Sequence, residues 1–115
     1  MGELLIGAFV EQGDLILVRF PFSNMVDYKI RPALVVSNNR INRKFDLWAC
    51  PITSKEGSEC IAIKNSLQEG KLDKESYVKT SVITNIEKDL VMKKIGKING
   101  EKTGQIIGQL INNLK

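Results

Sequence analysis

An arginine directly before a proline is the feature of this sequence whose type and position most favour chemistry. Arg31 precedes Pro32, which opens the apolar run 33–37. Proline favours extended backbone angles in the residue before it, so Arg31 is expected at the mouth of a rigid strand with its planar guanidinium directed outward. Such a group suits a phosphate, although an ion pair with Asp14 or Asp27 fits the residues equally well.

A second polar group stands where another apolar segment, 47–52, ends. Thr53, Ser54 and Lys55 follow that segment, at a place where side chains emerge onto the rim of a core. Hydroxyls at a rim can hold phosphate oxygens, but they also commonly bind the backbone in turns at strand ends. These residues alone leave both roles open.

The residue types that are missing narrow the possible chemistry. The chain has no histidine, which removes the commonest general base and every Ser-His or Cys-His nucleophile pair. Its two cysteines, Cys50 and Cys60, are too few for a disulfide framework and form no Cys-x-x-Cys motif. We therefore expect no metal site and no cofactor, and we interpret both cysteines as buried, reduced thiols on strands.

Length and composition favour one soluble domain. With 115 residues, 43% of them hydrophobic, the chain is expected to form a single domain over 1–115, with 1–12 as a candidate N-terminal arm. Apolar runs such as 4–10 are far shorter than the roughly 18 residues that cross a bilayer, and no export signal is evident. We expect a cytoplasmic protein without a membrane partner, and the net charge of +4 is compatible with a polyanionic one.

The pattern along the chain predicts a mainly β protein. Short β-favouring runs bounded by turn residues are expected to be strands: 15–20, 33–37, 47–52, 59–63 and 77–83. The intervening polar or mixed segments are expected to be loops: 21–30, 38–44 and 64–75. Short strands at this spacing suggest a small barrel or sandwich that closes on itself.

The C-terminal segment has a helical pattern instead. Asn99 can cap a helix, and apolar residues then recur on one face: Ile106, Ile107, Leu110, Ile111 and Leu114. Gly104 and Gly108 each cost about 1 kcal/mol relative to alanine, so either packing compensates or the first turns are weakly helical. A helix is predicted to close the fold.

Four segments form an ordered combination that is more specific than any one of them. They are Gly-Asp at 13–14, Arg-Pro-Ala-Leu-Val at 31–35, Pro-Ile-Thr at 51–53 and Lys-Ile-Gly-Lys at 94–97. In this order, before a C-terminal helix, they resemble the MazF/PemK family of toxin ribonucleases from toxin–antitoxin pairs. The resemblance runs from about residue 13 to the C-terminus.

The resemblance implies a fold, an activity and partners. The implied fold is a mainly β, small SH3-like barrel of the MazF/PemK/CcdB type with a C-terminal helix, usually a homodimer. The implied activity is that of a sequence-selective, metal-independent endoribonuclease that cleaves single-stranded mRNA and leaves a cyclic phosphate. The implied partners are single-stranded RNA and a cognate antitoxin protein, with which such a toxin can also bind DNA.

The resemblance also implies roles for two residues. Arg31 matches the catalytic arginine of the family and Thr53 its catalytic threonine. When a ribose 2′-hydroxyl attacks the neighbouring phosphate, Arg31 would neutralise the charge growing on the phosphate oxygens and Thr53 would orient the phosphate. The proton acceptor is not identified by the resemblance, and Asp14 and Asp27 are both open as candidates.

The chain departs from the better-known members of the family, which leaves the RNA cleavage motif open. Residues 22–29 replace a stretch containing Gly and Gln, and Thr84 stands where many members carry arginine. The chain is closer to a subgroup with Phe-Pro-Phe at 20–22 and Tyr-Val-Lys-Thr-Ser at 77–81. Further candidates for RNA contact, which fit solvated rim positions about equally well, are Lys29, Ser37, Ser54, Lys79 and Ser81.

Two other functions stay open. CcdB-type toxins share the implied fold and bind gyrase through the C-terminal helix without catalysis, but the pairing of Arg31 with Thr53 argues against this function. A passive RNA-binding barrel would use Tyr28, Phe45 and Trp48 as stacking groups. Trp48 falls within a predicted core strand, so we expect it to be buried.

Overall fold

The fold consists mainly of short antiparallel strands. The computed structural model describes residues 9–21 and 27–115. The elements within these ranges are β1 (Asp14–Pro21), β2 (Tyr28–Val35), α1 (Asn39–Lys44), β3 (Leu47–Thr53), β4 (Cys60–Ala62), β5 (Leu67–Gly70), β6 (Tyr77–Lys79), β7 (Thr84–Ile86), a short 3-10 helix (Lys88–Leu90), β8 (Val91–Ile98) and α2 (Gly100–Asn113). The predicted mainly β fold with a C-terminal helix is confirmed.

The strands form one sheet path centred on β1, β2 and β3. The order is β4-β6-β3-β2-β1-β8-β5, and β7 pairs with β3 beside this path. The first part of β3 pairs with both β2 and β7, whereas its last two residues pair with β6. In the described part of the chain β4 and β5, the two ends of this path, do not pair with each other.

Two apolar clusters lie on the two faces of the central strands. Successive side chains of a strand point to opposite faces, and the central strands are apolar at both sets of positions. Ile16 and Val35 belong to one cluster, and Leu15 and Leu34 belong to the other. Helix α2 covers the second cluster through side chains such as Ile106, which is fully buried. The helix and the strands therefore share the second cluster.

Helix α2 begins as the sequence predicts. The backbone N–H of Lys102 donates to the Asn99 side chain at 2.8 Å, which caps the helix. The helix is regular from its first turn. No neighbouring element packs closely on Gly104 or Gly108, since a Cβ added at either position would meet no atom within 4 Å. Packing on these glycines therefore does not compensate their low helix propensity.

Two segments predicted to be loops contain regular structure. The connection 38–44 holds helix α1, because the Asn38 side chain accepts the Ile41 backbone N–H at 3.0 Å and caps it. The loop 64–75 holds β5, which pairs with β8. Neither segment carries the apolar periodicity from which helices and strands are predicted.

The boundaries of two other strands also differ from prediction. Strand β2 begins at Tyr28 inside the predicted loop 21–30, because its first residues pair with the end of β1; residues 22–26 of that loop lie outside the described residues. The predicted strand 77–83 ends at Lys79, and the next backbone N–H, of Thr80, donates to the Glu59 carbonyl at 2.8 Å in the turn before β4. Glu59 itself has a positive φ of 61°, which ends the predicted strand 59–63 on its N-terminal side.

The remaining fold predictions have mixed outcomes. Cys50 is buried and reduced, whereas Cys60 is reduced but only partly buried because it lies on the short outer strand β4. Of the candidate arm 1–12, residues 1–8 lie outside the described residues, and Val10 packs into the core. No helix in the described ranges has the length and apolar character needed to span a membrane.

Candidate active-site cleft

The pairing of β2 with β3 brings Arg31 and Thr53 to the same place. Ala33 lies opposite Pro51 in this antiparallel pair. Arg31 precedes Ala33 by two residues and Thr53 follows Pro51 by two, so both lie at the same end of this strand pair, and both border one cavity. Two motifs that are 22 positions apart in the chain therefore meet beside one strand pair.

A cavity of about 640 Å³ opens beside these two residues. It lies near the point where β3 leaves β2 and begins to pair with β6. We call it the β2–β3 cleft, and its lining residues are Phe20, Arg31, Pro32, Pro51, Ile52, Thr53, Ser54, Lys55, Lys74, Glu75 and Ser76. Its volume lies within the range typical of ligand sites.

The charged groups of the β2–β3 cleft are not used in the fold. Arg31, Lys55 and Lys74 supply three cations, and Glu75 supplies one carboxylate. The ion pairs formed among the described residues involve none of these four side chains, and neither do the hydrogen bonds of side chains there. The ion-pair alternative for Arg31 is therefore not observed, and the cleft presents an excess of positive charge to solvent.

Asp14, one alternative partner of Arg31, forms ion pairs with two lysines of β8 instead. It is fully buried, and its Oδ1 lies 3.2 Å from Lys94 Nζ and 3.3 Å from Lys97 Nζ. Its Oδ2 accepts the backbone N–H of Glu11 at 2.7 Å. These contacts hold the turn before β1 against β8. Asp14 is therefore used in the fold, and it does not line the β2–β3 cleft, which argues against it as the proton acceptor.

The Thr53 hydroxyl forms a side-chain turn, one of the two roles that the sequence left open for it. Thr53 is the last residue of β3, and its Oγ1 accepts the backbone N–H of Lys55 at 3.2 Å, which is a side-chain turn. A hydroxyl that accepts one hydrogen bond can still donate its own proton. The turn therefore fixes the side chain and leaves its O–H group for a ligand in the β2–β3 cleft.

The aromatic residue opposite Thr53 stays protonated near neutral pH. Tyr77 pairs with Thr53 across β3 and β6. Desolvation, followed by the nearby carboxylates of Glu56 and Glu75, raises the pKa of Tyr77. The phenol is consequently a hydrogen-bond donor rather than a base.

Ser37 does not reach the cleft. Its side chain is 2% exposed, and its Oγ donates to the Asn42 side chain of α1. The same oxygen accepts the backbone N–H of Trp48 at 3.0 Å. Ser37 therefore links α1 to β3 through one hydrogen bond to each, and it is a structural residue. Its prediction as an RNA contact is not supported.

The other secondary candidates have different locations. Ser54 lines the β2–β3 cleft. Lys29 is exposed on β2, two residues before Arg31 and therefore on the same face, and Lys79 is exposed at the end of β6. Ser81 instead lines a separate cavity of about 460 Å³ near the C-terminal end of α2. The structure thus brings together three of the predicted residues.

The sequence did not point to two charged residues of the cleft. Lys74 and Glu75 lie in the segment predicted to be a polar loop, and no local pattern distinguishes them from their neighbours. They reach Thr53 only because β6, which follows them, pairs with the end of β3. In the described ranges no three Cys, Asp or Glu side chains are grouped to hold a metal ion.

A small antiparallel β domain with a C-terminal helix is the architecture of a known class of toxins. A family profile described as PemK-like, MazF-like toxin of type II toxin–antitoxin system matches residues 11–114. The chain belongs to this family. A search of curated protein sequences gave no significant match.

Solved structures of this class share the fold. The Mycobacterium tuberculosis toxin MazF-mt6 has 16% sequence identity and a TM-score of 0.64, over 85% of this chain and 93% of the toxin chain. An endoribonuclease in complex with its cognate antitoxin, from a mycobacterial species, has 22% identity and a TM-score of 0.66, over 90% of this chain and 95% of its own. The predicted MazF-type fold is confirmed.

Proposed function

We propose that this protein is the endoribonuclease toxin of a toxin–antitoxin pair and that it cleaves single-stranded mRNA in the cytoplasm. The observation that carries this proposal is the shared position of Arg31 and Thr53 in one cleft, where the described part of the chain uses neither the guanidinium nor the Thr53 O–H. Membership of a toxin family whose members are typically endoribonucleases supports it.

Arg31 and Thr53 have complementary chemistry for phosphoryl transfer. Attack of a ribose 2′-hydroxyl adds negative charge to the non-bridging oxygens of the adjacent phosphate. The Arg31 guanidinium can donate two parallel N–H groups to those oxygens, so its stabilisation grows as the charge develops. Thr53, held by its turn, can donate its O–H to the same phosphate. The product is a cyclic phosphate, and the next nucleotide leaves with a free 5′-hydroxyl.

The other cations of the cleft can position the substrate. Lys55 and Lys74 lie beside Arg31 without ion pairs to described residues, so phosphates on either side of the scissile bond would meet unpaired positive charge. Ser54 adds a hydroxyl at the same rim. These contacts are to the backbone of the RNA and do not define a base sequence, so the sequence selectivity implied by the family lies in contacts with bases.

A cognate antitoxin is the proposed protein partner. One solved relative with the same fold is a complex with its own antitoxin. The resemblance that implied an antitoxin also implied a homodimer, and both partners stay predictions for this chain. Co-purification with the product of a neighbouring gene would test the first, and the molar mass in solution would test the second.

The proposed activity is tested by incubating the purified protein with a long single-stranded RNA in the presence of EDTA. We expect discrete fragments that end in a cyclic phosphate. Arg31→Ala should lower the rate by about 10² to 10³, the usual effect of removing one preorganised donor, and Thr53→Val should also be severe. Arg40→Ala, on the exposed surface of α1, is the matched control and should cleave normally. Intact RNA with the wild-type protein would refute the proposal.

A passive RNA-binding barrel is the second candidate, because one expectation against it is wrong. Trp48 was expected to be buried, but it is 44% exposed, and Phe45 nearby in sequence is 59% exposed. Exposed aromatic rings can stack on RNA bases without any catalysis. This function predicts RNA binding with no cleavage, and it predicts that Trp48→Ala weakens binding more than Arg31→Ala does.

A further inference from the structure

The proposed reaction needs a group that accepts the proton of the 2′-hydroxyl, and the β2–β3 cleft contains one carboxylate among the described residues. That carboxylate belongs to Glu75. We infer that Glu75 is the proton acceptor, an inference that rests on the proposed endoribonuclease function. Its carboxylate forms no ion pair or hydrogen bond with the rest of the described chain, so it can take a proton without first leaving a partner.

Glu75 lies close to the residues proposed to bind the phosphate. It stands two positions before Tyr77, and Tyr77 is directly opposite Thr53. The charge of Glu75 contributes to the raised pKa of Tyr77, which places the carboxylate near this strand pair. Both Glu75 and Thr53 line the same cleft as Arg31. A phosphate bound by Arg31 and Thr53 therefore has its flanking ribose within the cleft that Glu75 lines.

The other titratable groups are less suited to this role. The chain contains no histidine. Asp14 is fully buried and paired with two lysines, and Tyr77 stays protonated because its pKa is raised. Glu56 and Asp27 do not line the β2–β3 cleft. A general base must come within hydrogen-bond reach of the proton that it removes, and Glu75 is the carboxylate that meets the geometric requirement of sharing the cleft.

With Glu75 as the proton acceptor, every bond and every proton of the cleavage step is accounted for. The 2′ oxygen forms a bond to phosphorus while the bond from phosphorus to the 5′ oxygen of the next nucleotide breaks. The 2′ proton passes to the Glu75 carboxylate, and the leaving 5′ oxygen takes up a proton from solvent. Arg31 stabilises the phosphate oxygens throughout.

The negative charge of Glu75 lowers the affinity of the cleft for RNA, and this leads to a test that is specific to a proton acceptor. Glu75 lines a cleft whose other charged residues attract phosphates, so its own charge repels them. A residue that only supported binding would lose affinity when neutralised. Glu75→Gln should instead bind an uncleavable RNA at least as tightly as the wild type while cleaving the natural RNA more slowly.

The experiment compares Glu75→Gln with Glu56→Gln, a nearby exposed carboxylate outside the cleft. Cleavage rates are measured from acidic to alkaline pH, and affinity is measured with an RNA that carries 2′-deoxyribose at the cleavage site. We expect Glu75→Gln to lower the rate by about 10² or more, the usual range for a general base. The wild-type rate should rise with pH and then level off, and the variant should lose this levelling. Glu75→Asp should recover part of the rate.

The outcomes separate this inference from the function on which it rests. If the wild-type protein leaves RNA intact, both fail. If the wild type cleaves and Glu75→Gln cleaves equally fast, only the inference fails. A variant that cleaves slowly because it binds RNA correspondingly weakly, with the wild-type pH profile, would also overturn it, since Glu75 would then be a binding residue.

Discussion

The salt dependence of RNA binding gives a quantitative test of the β2–β3 cleft. Three cations line it, and each has no ion pair within the described chain. A cation that binds a phosphate of single-stranded nucleic acid releases about 0.7 of a counterion, so three contacts give a slope of about −2 in a plot of log affinity against log salt concentration. Affinity should then fall roughly 20-fold between about 50 mM and about 200 mM salt.

Removing one cation changes this slope by a predictable amount. Lys74→Gln or Lys55→Gln should each reduce it to about −1.4, so that the same change in salt lowers affinity only about sevenfold. The assay is fluorescence anisotropy with a labelled RNA in which 2′-deoxyribose at the cleavage site prevents the reaction. Lys93→Gln, an exposed lysine of β8 outside the cleft lining, is the matched control and should keep the full slope.

Two results would refute this reasoning. A wild-type affinity that hardly changes with salt would mean that the cleft does not bind the RNA backbone. Equal slopes for the wild type and Lys74→Gln would mean that RNA binds elsewhere on the molecule. In the second case the candidate surface would move to the exposed lysines of the strands, Lys29 and Lys79.

Three further predictions concern the fold. Gly70→Ala should lower the free energy of unfolding by at least about 1 kcal/mol, because Gly70 has a φ of 80° and a Cβ there would overlap the backbone of β8. Gly104→Ala should instead raise the free energy of unfolding by about 1 kcal/mol, because the space around Gly104 is open. Both are measured by chemical denaturation. A thiol reagent should label Cys60 quickly and Cys50 slowly, because burial raises the pKa of Cys50 from 9.0 to about 11, which leaves about 100-fold less thiolate near neutral pH. Ser37→Ala should cost about 1 to 3 kcal/mol of stability, since it removes buried hydrogen bonds, and leave RNA cleavage unchanged.

Each of these predictions has an outcome that contradicts it. The glycine argument fails if both alanine variants shift stability in the same direction. Two equally fast thiols in the folded protein would show that Cys50 is accessible, and Cys60→Ser supplies the control by removing the fast one. A Ser37→Ala protein that is fully stable but inactive would place that hydroxyl in the reaction.

The sequence predicts that Thr53 ends an apolar strand, and the structure confirms this position. Arg31 was expected at the mouth of a strand, but it lies within β2 and pairs with Val18, because β2 begins three residues earlier. The structure adds the pairing of β2 with β3 beside which both side chains line one cleft. The motif order, more than any single residue, led to the correct family. The C-terminal helix was predicted separately, from its cap residue Asn99 and the apolar periodicity that follows.

Features that depend on long-range contacts were not predictable. Lys74 and Glu75 enter the cleft through the pairing of β6 with β3, which no local pattern specifies. Ser37 was taken for a rim residue, but it is buried by contacts with α1, itself expected to be a loop. Trp48 was expected inside, yet the sheet face that is covered at Cys50 is open to solvent at Trp48. In each case tertiary packing overrides the local signal.

The divided pairing of β3 has a consequence for the mobility of the cleft. At Ala49 the strand has neighbours on both sides, β2 and β7, whereas among the described residues only β6 pairs with it at Thr53. Segments with fewer hydrogen-bonded neighbours open at lower free energy than those in the centre of a sheet. The end of β3 can therefore part from β6 and widen the cleft while the central strands keep their register. The part of the cleft lining that can move is therefore the end of β3, which holds the Thr53 hydroxyl.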